Sequence, residues 1–181
     1  MRIISGIKKS IIIKAPKNLP VRPTTDKVKE SLFNIILNKF NLNEISVLDL
    51  FSGTGNVSYE FASRGCLNLL SIDNNHNCIK FINKTASKLE LNIKTKKIDY
   101  KVFLKNNKKK FDIIFADPPY DFTIRQYLEI TELIKENEIL SDLGELIIEH
   151  SPNINLSDNF KNIDERKYGS SVLSFIKKAS L

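Results

Sequence analysis

The stretch Phe111-Asp112-Ile113-Ile114-Phe115-Ala116-Asp117-Pro118-Pro119-Tyr120 decides the fold that we predict for this chain. Its first six residues are mostly apolar, which is typical of a buried strand in a parallel sheet. The strand then stops abruptly, because neither proline can donate to a sheet ladder and each restrains the residue before it to extended geometry. The result is a stiff turn at the carboxyl end of a strand, where open α/β sheets bind their ligands.

This turn offers two hydrogen-bond acceptors and a flat ring. The acceptors are the Asp117 carboxylate and the Pro118 carbonyl, and the ring is that of Tyr120. They suit an exocyclic amine on a planar base, since the acceptors would take its two protons and the ring would stack on its face. An ordinary proline turn is the alternative, which the position after a strand and downstream of a glycine loop disfavours. The predicted catalytic residues are Asp117, Pro118, Pro119 and Tyr120.

The glycine loop lies in the stretch Val47-Leu48-Asp49-Leu50-Phe51-Ser52-Gly53-Thr54-Gly55. A strand ends, two glycines follow and a helix begins, so a ligand can approach the backbone closely. The dinucleotide fingerprint fails, because Ser58 stands where its third glycine would be. Asp49 lies inside the strand end, where it would repel a pyrophosphate but tolerate a cationic ligand. S-adenosylmethionine carries a sulfonium and an amino group, and no phosphate.

Two further strands also end in acidic residues. Asp73 follows Gly55 by 18 positions, a spacing that suits a carboxylate accepting from ribose hydroxyls. Asp99 ends the next strand and could accept from an adenine amino group. Each aspartate alone is more often a turn or cap residue, but together they mark one rim of one cleft. The predicted cofactor-binding residues are Asp49, Phe51, Ser52, Gly53, Thr54, Gly55, Asp73, Asn74, Asp99 and Tyr100.

Strand and helix patterns alternate over most of the chain, which predicts a doubly wound α/β sheet. Residues 1–20 are predicted to form a short β-hairpin, with β-rich runs at 2–6 and 10–14. A helix is expected to begin with Thr24 or Thr25 as N-cap and to run to about Lys39, with Val28, Leu32, Ile36 and Phe40 on one stripe. Strands are predicted at 45–51, 67–72, 92–98, 111–116 and 144–149, helices at 56–64, 77–89 and 124–135, and a terminal hairpin at 158–166 and 171–177. In the last helix we expect Ile124, Leu128 and Ile134 to face inward.

The positive charge is unevenly placed along the chain. Residues 1–30 contain eight Lys or Arg against two acidic residues, whereas the net charge of the whole chain is +7. A basic arm indicates a polyanionic partner. The residues predicted to contact this partner, which the resemblance described below implies to be RNA, are Arg2, Lys8, Lys9, Lys14, Lys17 and Arg22. The other run of charge, 105–110, is interpreted as a solvated loop.

Several classes of protein are disfavoured by what the sequence lacks. No apolar run approaches the ~20 residues that span a bilayer, and Lys8 and Lys9 interrupt the apolar start that a signal peptide would need. Cys66 and Cys78 have no metal or redox spacing, so we expect two reduced thiols, no metal and a cytoplasmic location.

The two motifs resemble those of the class I S-adenosylmethionine-dependent methyltransferases. The stretch Asp49-Leu50-Phe51-Ser52-Gly53-Thr54-Gly55 resembles their cofactor loop, and Asp117-Pro118-Pro119-Tyr120 resembles their amino-methylating motif. More specifically, Ile3-Ile4-Ser5-Gly6, the run from Arg22-Pro23-Thr24-Thr25-Asp26 to Asn34, and Arg166-Lys167-Tyr168-Gly169 are similar to the RsmD family, over nearly the whole chain. Lys27 and Lys29 stand where that family often has arginine, which implies weaker bidentate phosphate contacts.

The resemblance implies a Rossmann-like class I methyltransferase fold, with a seven-stranded mostly parallel sheet and an antiparallel terminal hairpin. It divides the chain into a basic β-hairpin arm (1–22), a linking helix (23–40) and a methyltransferase domain (41–181). The implied cofactor is S-adenosylmethionine. The implied substrate is the N2 amine of a guanine in small-subunit ribosomal RNA, free or in the assembled subunit, and we expect a monomer. Two alternatives stay open: an adenine-N6 or cytosine-N4 methyltransferase acting on DNA or RNA, and an RNA-binding protein with a vestigial cofactor site.

Overall fold

The structure, a computed structural model, describes residues 1–16 and 25–181. In chain order its helices and strands are α1 (Asp26–Leu37), β1 (Ser46–Asp49), α2 (Asn56–Ser63), β2 (Asn68–Asp73), α3 (His76–Lys88), β3 (Lys94–Lys97), α4 (Tyr100–Asn106), β4 (Phe111–Ala116), α5 (Ile124–Glu136), β5 (Leu140–His150), β6 (Asp164–Tyr168) and β7 (Ser171–Lys177). Two short 3₁₀ turns span Ser157–Asn159 and Lys178–Ser180.

All seven strands form one sheet in the order β3-β2-β1-β4-β5-β7-β6. Neighbouring strands from β3 to β5 are parallel, and β7 runs antiparallel between β5 and β6. The predicted seven-stranded sheet with an antiparallel terminal hairpin is therefore confirmed. After β1 the chain moves outward to β2 and β3, then returns to β4 on the other side of β1. This reversal opens a crevice at the carboxyl ends of β1 and β4.

Hydrophobic clusters cover both faces of the sheet. Successive residues of β1 alternate between them, so Val47 belongs to one cluster and Leu48 to the other. The first cluster buries side chains of α1, α2 and α3, and it also includes Ile3 and Ile13 of the N-terminal arm. The second buries side chains of α4 and α5. The arm is thus packed on the same core as the sheet.

The predicted N-terminal hairpin is present, but it is shorter than predicted. It contains one antiparallel bridge, between Arg2 and Ile12, and the Ile3 amide donates to the Ile11 carbonyl at 3.0 Å. The β-rich runs predicted at 2–6 and 10–14 do not form longer strands. Gly6 and Ser10 have positive φ angles of 84° and 68°, which turn the chain out of extended geometry.

Most other predicted elements are present with shifted ends, and β4 has the predicted bounds. Helix α1 begins as predicted at the N-cap Thr25 but ends at Leu37, before Lys39. Ile124 was predicted to face inward and is 37% exposed, because the buried face of α5 is formed by residues such as Tyr127 and Ile130. The strand predicted at 158–166 is confined to β6, since the segment before it contains a 3₁₀ turn. Helix α4 was not predicted.

Candidate cofactor and substrate cleft

A cleft of about 750 Å³ opens at the carboxyl ends of the central strands. Its volume lies in the range that holds nucleoside-sized or drug-sized ligands. Thirteen of the fourteen predicted catalytic and cofactor-binding residues line it, and they come from the ends of β1, β2, β3 and β4. The strand ends and the proline turn therefore meet in one place, as the order of the motifs predicted. Unpredicted lining residues include Phe122 and Gln126, just after the proline turn.

Gly55 is the predicted residue that does not line the cleft. It has a φ of 82° and precedes α2 as its N-cap. A Cβ atom at this position would lie 2.9 Å from Cγ1 of Ile82 and 3.1 Å from the ring of Tyr59. Gly55 thus allows the loop to turn and α2 to pack closely against α3, and it is Gly53 that faces the cleft.

Asp49 is a buried carboxylate at the inner wall of the cleft, 1% exposed. Its Oδ2 accepts a hydrogen bond from the hydroxyl of Ser58, the residue that breaks the dinucleotide fingerprint. Its Oδ1 is buried and has no hydrogen-bond partner among the described residues. Burial raises the pKa of Asp49 to about 7. A buried acceptor without a donor, at the wall of a cleft, suits a cationic ligand group.

Asp73 is held in place by two backbone N–H groups. Its Oδ2 accepts from the amide of Gly53 at 2.8 Å, and its Oδ1 accepts from the amide of Asn75 at 2.7 Å. Asn74, which lies between Asp73 and Asn75 in the sequence, is exposed and also lines the cleft. The carboxylate is therefore oriented before any ligand arrives, and each oxygen keeps a further lone pair for a hydroxyl group.

Asp99 has a structural partner of its own, because its Oδ1 caps α4 by accepting from the amides of Lys101 at 2.9 Å and Val102 at 3.3 Å. The next residue, Tyr100, contributes an aromatic wall. Its ring centroid lies 4.9 Å from that of Phe51 and 6.0 Å from that of Phe122. Three rings and a carboxylate thus surround one end of the cleft, an arrangement that suits a flat heterocycle bearing an amine.

The proline turn lies at the other side of the cleft. Asp117 is half-buried and Pro118 is buried, while Tyr120 is 45% exposed. The amide of Phe122 donates to the carbonyl of Pro119 at 3.0 Å and closes the turn. The Tyr120 hydroxyl lies 3.5 Å from the Ser171 hydroxyl on β7. The ring is therefore anchored at its far end with much of its surface open.

The predicted RNA-binding residues differ in their surroundings. Arg2 forms an ion pair with Asp26 at 2.9 Å, and Lys8 lies 3.6 Å from Glu90. Lys9 and Lys14 are exposed. Lys17 and Arg22 lie outside the described residues, so the prediction for them stays a prediction.

Lys29 does not have the role that its position in the resemblance implied. It is 1% exposed, and its ammonium group donates to Oδ1 of Asn56 at 2.9 Å and to the carbonyl of Arg2. It also lies 3.7 Å from the fully buried Glu60. The interpretation of Lys29 as a phosphate contact was wrong, because its side chain is enclosed between the arm, α1 and α2. Burial lowers the pKa of Lys29.

Residues 1–16 and 25–181 contain neither a candidate membrane span nor a candidate metal site. No described helix is both long and apolar enough to cross a bilayer. These residues also contain no group of three or more His, Cys, Asp or Glu side chains placed to bind a metal ion. Cys66 and Cys78 are buried free thiols, and burial raises the pKa of each to about 11.

Known proteins resemble this chain over its whole length. Residues 1–177 match the family model described as conserved hypothetical protein 95. YlbH of Bacillus subtilis (strain 168), provisionally named an rRNA methyltransferase, is 33% identical over 187 residues, covering 98% of this chain and 99% of that one. Ribosomal RNA small subunit methyltransferase D of Buchnera aphidicola (subsp. Baizongia pistaciae) is 36% identical over 138 residues, covering 76% and 69%.

Among solved structures, yhhF of Escherichia coli, provisionally named a methyltransferase, superimposes with a TM-score of 0.79 at 27% identity. The match covers 97% of this chain and 96% of that one. The predicted class I methyltransferase fold is confirmed by this likeness together with the sheet order. The chain therefore belongs to the family described as conserved hypothetical protein 95, which is the RsmD family that its motifs resemble.

Proposed function

We propose that this protein transfers a methyl group from S-adenosylmethionine to the N2 amine of a guanine in small-subunit ribosomal RNA. One observation carries the proposal: the proline turn and three strand-end aspartates line a single cleft. The relative named ribosomal RNA small subunit methyltransferase D supports the rRNA substrate. The choice of guanine N2 rests on the resemblance to the RsmD family and on the acceptors at the proline turn.

The residues present fit S-adenosylmethionine. The buried Oδ1 of Asp49, which has no partner among the described residues, would accept from the cofactor's cationic amino group. Asp73 would accept from the ribose hydroxyls, and Asp99 would accept from the adenine amine beside the ring of Tyr100. When bound, the cofactor supplies a methyl group activated by its sulfonium.

The proline turn would hold the substrate amine. The lone pair of an exocyclic guanine amine is delocalised into the ring, so the free amine is a poor nucleophile. The Asp117 carboxylate and the Pro118 carbonyl would accept its two N–H protons and direct the lone pair toward the methyl donor. Their negative charge lies where positive charge develops on nitrogen, so positioning and electrostatics supply the rate increase. The methylated nitrogen then loses one proton, for which no strong base is needed.

Tyr120 is placed to bind the base itself. A base in a helix is inaccessible to an enzyme that modifies its edge, so it must leave its stack. The 45% exposed ring of Tyr120 offers a replacement stacking partner at the cleft mouth. Stacking of this kind contributes about 1–3 kcal/mol per base.

The basic arm would contact the RNA backbone. Lys9 and Lys14 are exposed, and the ion pairs of Arg2 and Lys8 lie at the surface, where carboxylates can be exchanged for phosphates at small cost. Binding should therefore weaken steeply with salt. We further propose that the protein acts as a cytoplasmic monomer without a metal.

A second candidate is an adenine-N6 or cytosine-N4 methyltransferase, since those bases also carry an exocyclic amine. Enzymes that act on DNA in this way usually have a larger target-recognition region. Here only α5 (Ile124–Glu136) and a short turn lie between Tyr120 and Leu140, which disfavours a DNA substrate. A vestigial cofactor site is disfavoured by the complete set of lining aspartates.

The proposal is tested by supplying the purified protein with S-adenosylmethionine and, in parallel, free small-subunit rRNA, assembled small subunits and duplex DNA. Mass spectrometry of the digested products distinguishes N2-methylguanosine from N6-methyladenosine and N4-methylcytidine. We expect N2-methylguanosine at one position in rRNA, and loss of the same methyl group from the rRNA of a deletion strain. Methylation of adenine or cytosine instead would contradict the proposal, as would failure to bind S-adenosylmethionine in calorimetry.

A further inference from the structure

A short segment of the chain carries as much net charge as the whole molecule. Residues 94–110 contain eight lysines and one acidic residue, Asp99, so their net charge is +7 and that of the rest of the chain is zero. The excess in the N-terminal arm is offset by acidic residues elsewhere. We define the lysine surface as Lys94, Lys96, Lys97, Lys101, Lys105, Lys108, Lys109 and Lys110.

These lysines lie on strand β3, on helix α4 and in the loop that follows α4. Strand β3 is the terminal strand and pairs only with β2. Helix α4 follows it directly, and the loop 107–110 leads from α4 into β4. All eight lysines are exposed except Lys101, which is half-buried. The basic stretch therefore begins on the edge strand β3 and ends at the amino end of the central strand β4, where the Lys110 carbonyl accepts from the Ser46 hydroxyl.

Few carboxylates neutralise the lysine surface. Lys101 pairs with Glu129 at 2.8 Å, and the ammonium groups of Lys96 and Lys109 lie 5.9 Å and 5.3 Å from phenylalanine ring centroids. For the other five, the described part of the chain places no carboxylate within ion-pairing distance. Lys110 also interacts with the charge of Asp142 at longer range, so the mutual repulsion of these lysines is relieved largely by counterions, which a polyanion would release.

One end of the lysine surface borders the cleft. Lys97 is the register partner of Asp73, and Lys101 itself lines the cleft. Strand β3 lies three strand spacings from β4, or about 14 Å, so it is within reach of nucleotides that flank a base held at Asp117. The N-terminal arm, by contrast, packs against α2 and α1. The lysine surface and the N-terminal arm are therefore two separate basic regions.

We propose that the lysine surface is a second RNA-binding surface, which contacts backbone phosphates of the substrate RNA as the RNA leads away from the target nucleotide. This inference rests on the proposed function for the identity of the RNA. Lysines on an edge strand also prevent pairing with other strands. That explanation covers Lys94, Lys96 and Lys97, but it leaves out the lysines of α4 and of the loop 107–110.

The test compares double variants that each remove two charges. Lys94→Gln/Lys97→Gln and Lys105→Gln/Lys108→Gln change the lysine surface. Lys161→Gln/Lys177→Gln is the matched control, because both lysines are exposed and lie by β6 and β7 at the opposite edge of the sheet. Binding to a small-subunit rRNA transcript is measured by filter binding at several salt concentrations, and S-adenosylmethionine binding by calorimetry confirms that each variant is folded.

We expect each lysine-surface variant to bind the transcript about tenfold more weakly and to lower the salt slope by about one to two units, since each phosphate contact contributes about 0.9. The control should keep the wild-type slope. The inference would be overturned if both lysine-surface variants kept the wild-type salt slope. It would also be overturned if the control variant lost as much affinity for the transcript as they do.

These results are independent of the catalytic proposal. A wild-type enzyme that methylates rRNA while the lysine-surface variants keep its salt slope would refute the inference and leave the proposed function standing. A protein that binds rRNA through the lysine surface but transfers no methyl group to the rRNA would support the inference and refute the proposed function. Weakened binding to anionic vesicles, with rRNA binding unchanged, would assign the surface to a membrane and overturn the inference.

Discussion

At the scale of single residues, we expect methyl transfer to depend most on Asp117. Asp117→Ala removes the acceptor that we propose for the amine, and loss of one such preorganised group costs on the order of 10²–10³ in turnover. Asp117→Asn keeps an amide oxygen in nearly the same place, so it should be at least tenfold more active than the alanine variant. The measurement is single-turnover methylation of rRNA with bound RNA at saturation.

Asp121→Ala is the matched control for this prediction, because Asp121 is exposed and lies four residues further along, outside the lining of the cleft. It should keep wild-type turnover. RNA affinity should change little in any of the three variants, since Asp117 contributes no phosphate contact. Wild-type turnover in Asp117→Ala would contradict the role that we give to this carboxylate.

The second prediction at this scale concerns the pH dependence of cofactor binding through Asp49. Burial raises its pKa to about 7, so its carboxylate is protonated below that pH and ionised above it. Only the ionised form attracts a cationic amino group. Affinity for S-adenosylmethionine should therefore fall as the pH falls, and be about fivefold weaker at pH 6 than at pH 7 in calorimetry.

Two variants distinguish the contribution of Asp49 to this pH dependence from that of Asp73. Asp49→Asn cannot titrate, so it should bind weakly at both pH values with a flat profile. Asp73→Asn should also bind weakly and should still depend on pH, but with its midpoint at lower pH, because the Asp73 charge helps to raise the pKa of Asp49. The raised pKa of Asp49 affects the stability of the unliganded fold in the opposite direction. The folded state retains the proton up to about pH 7, so the contribution of Asp49 to stability falls as the pH rises from about 4 to about 7. A wild-type affinity that does not change between pH 6 and 7 would refute the prediction.

At the scale of elements, α2 joins the cofactor loop to the N-terminal arm through Glu60. This fully buried carboxylate accepts from the amides of Ile4 at 2.8 Å and Ser5 at 3.0 Å, and from Nε of Arg64 at 2.7 Å. Lys29 lies 3.7 Å away and also donates to Asn56, a residue that lines the cleft. The arm is thus docked on the helix whose first turn borders the cofactor site.

We expect Glu60→Gln to destabilise the protein strongly, because it leaves the buried Lys29 and Arg64 without a counter-charge. Breaking a buried pair in this way costs about 3–5 kcal/mol, which lowers the Tm of a chain of this size by about 6–20 °C. Lys8→Gln removes only the surface pair with Glu90 and should lower the Tm by less than about 4 °C. Thermal unfolding measures the Tm of both variants. A decrease of less than about 4 °C for Glu60→Gln would contradict the prediction.

The elements also show how far sequence patterns determine this fold. The apolar run of β4 predicted its bounds, because a strand buried on both faces has a composition that few other elements share. Helix α4 was missed because seven residues containing two lysines give a weak helical period. The available signal was Asp99 as an N-cap before Tyr100, Phe103 and Leu104, which share one buried face.

The site residues show the same limit. The convergence of Asp49, Asp73 and Asp117 was predictable, since the carboxyl ends of parallel strands meet at one edge of a sheet. The burial of Lys29 was not, because it depends on Glu60, 31 residues away, and on the packing of the arm. Local pattern identifies which face a residue is on, whereas a long-range polar contact appears only when the elements are assembled.

At the scale of the whole molecule, the arm, α1 and the sheet share one hydrophobic cluster. Ile3 and Ile13 of the arm are buried in it together with Val47 of β1 and Phe61 of α2. Each fully buried side chain of this size contributes about 1.5–3 kcal/mol. The division into an arm (1–22), a linking helix (23–40) and a domain (41–181) stays a prediction about segments, and the shared core makes us expect them to unfold together.

The chain contains no tryptophan, so single tryptophans can report on two distant places. Ile12 in the arm is 69% exposed and Leu143 in β5 is 90% exposed, so replacing either should leave the core intact. We expect urea unfolding followed by fluorescence to give the same midpoint in Ile12→Trp and Leu143→Trp, coincident with far-UV circular dichroism, as a single cooperative transition requires. An arm that is a separate unit would instead lose its fluorescence signal at a lower urea concentration than the sheet, because two buried isoleucines alone cannot offset the entropy of ordering thirteen residues.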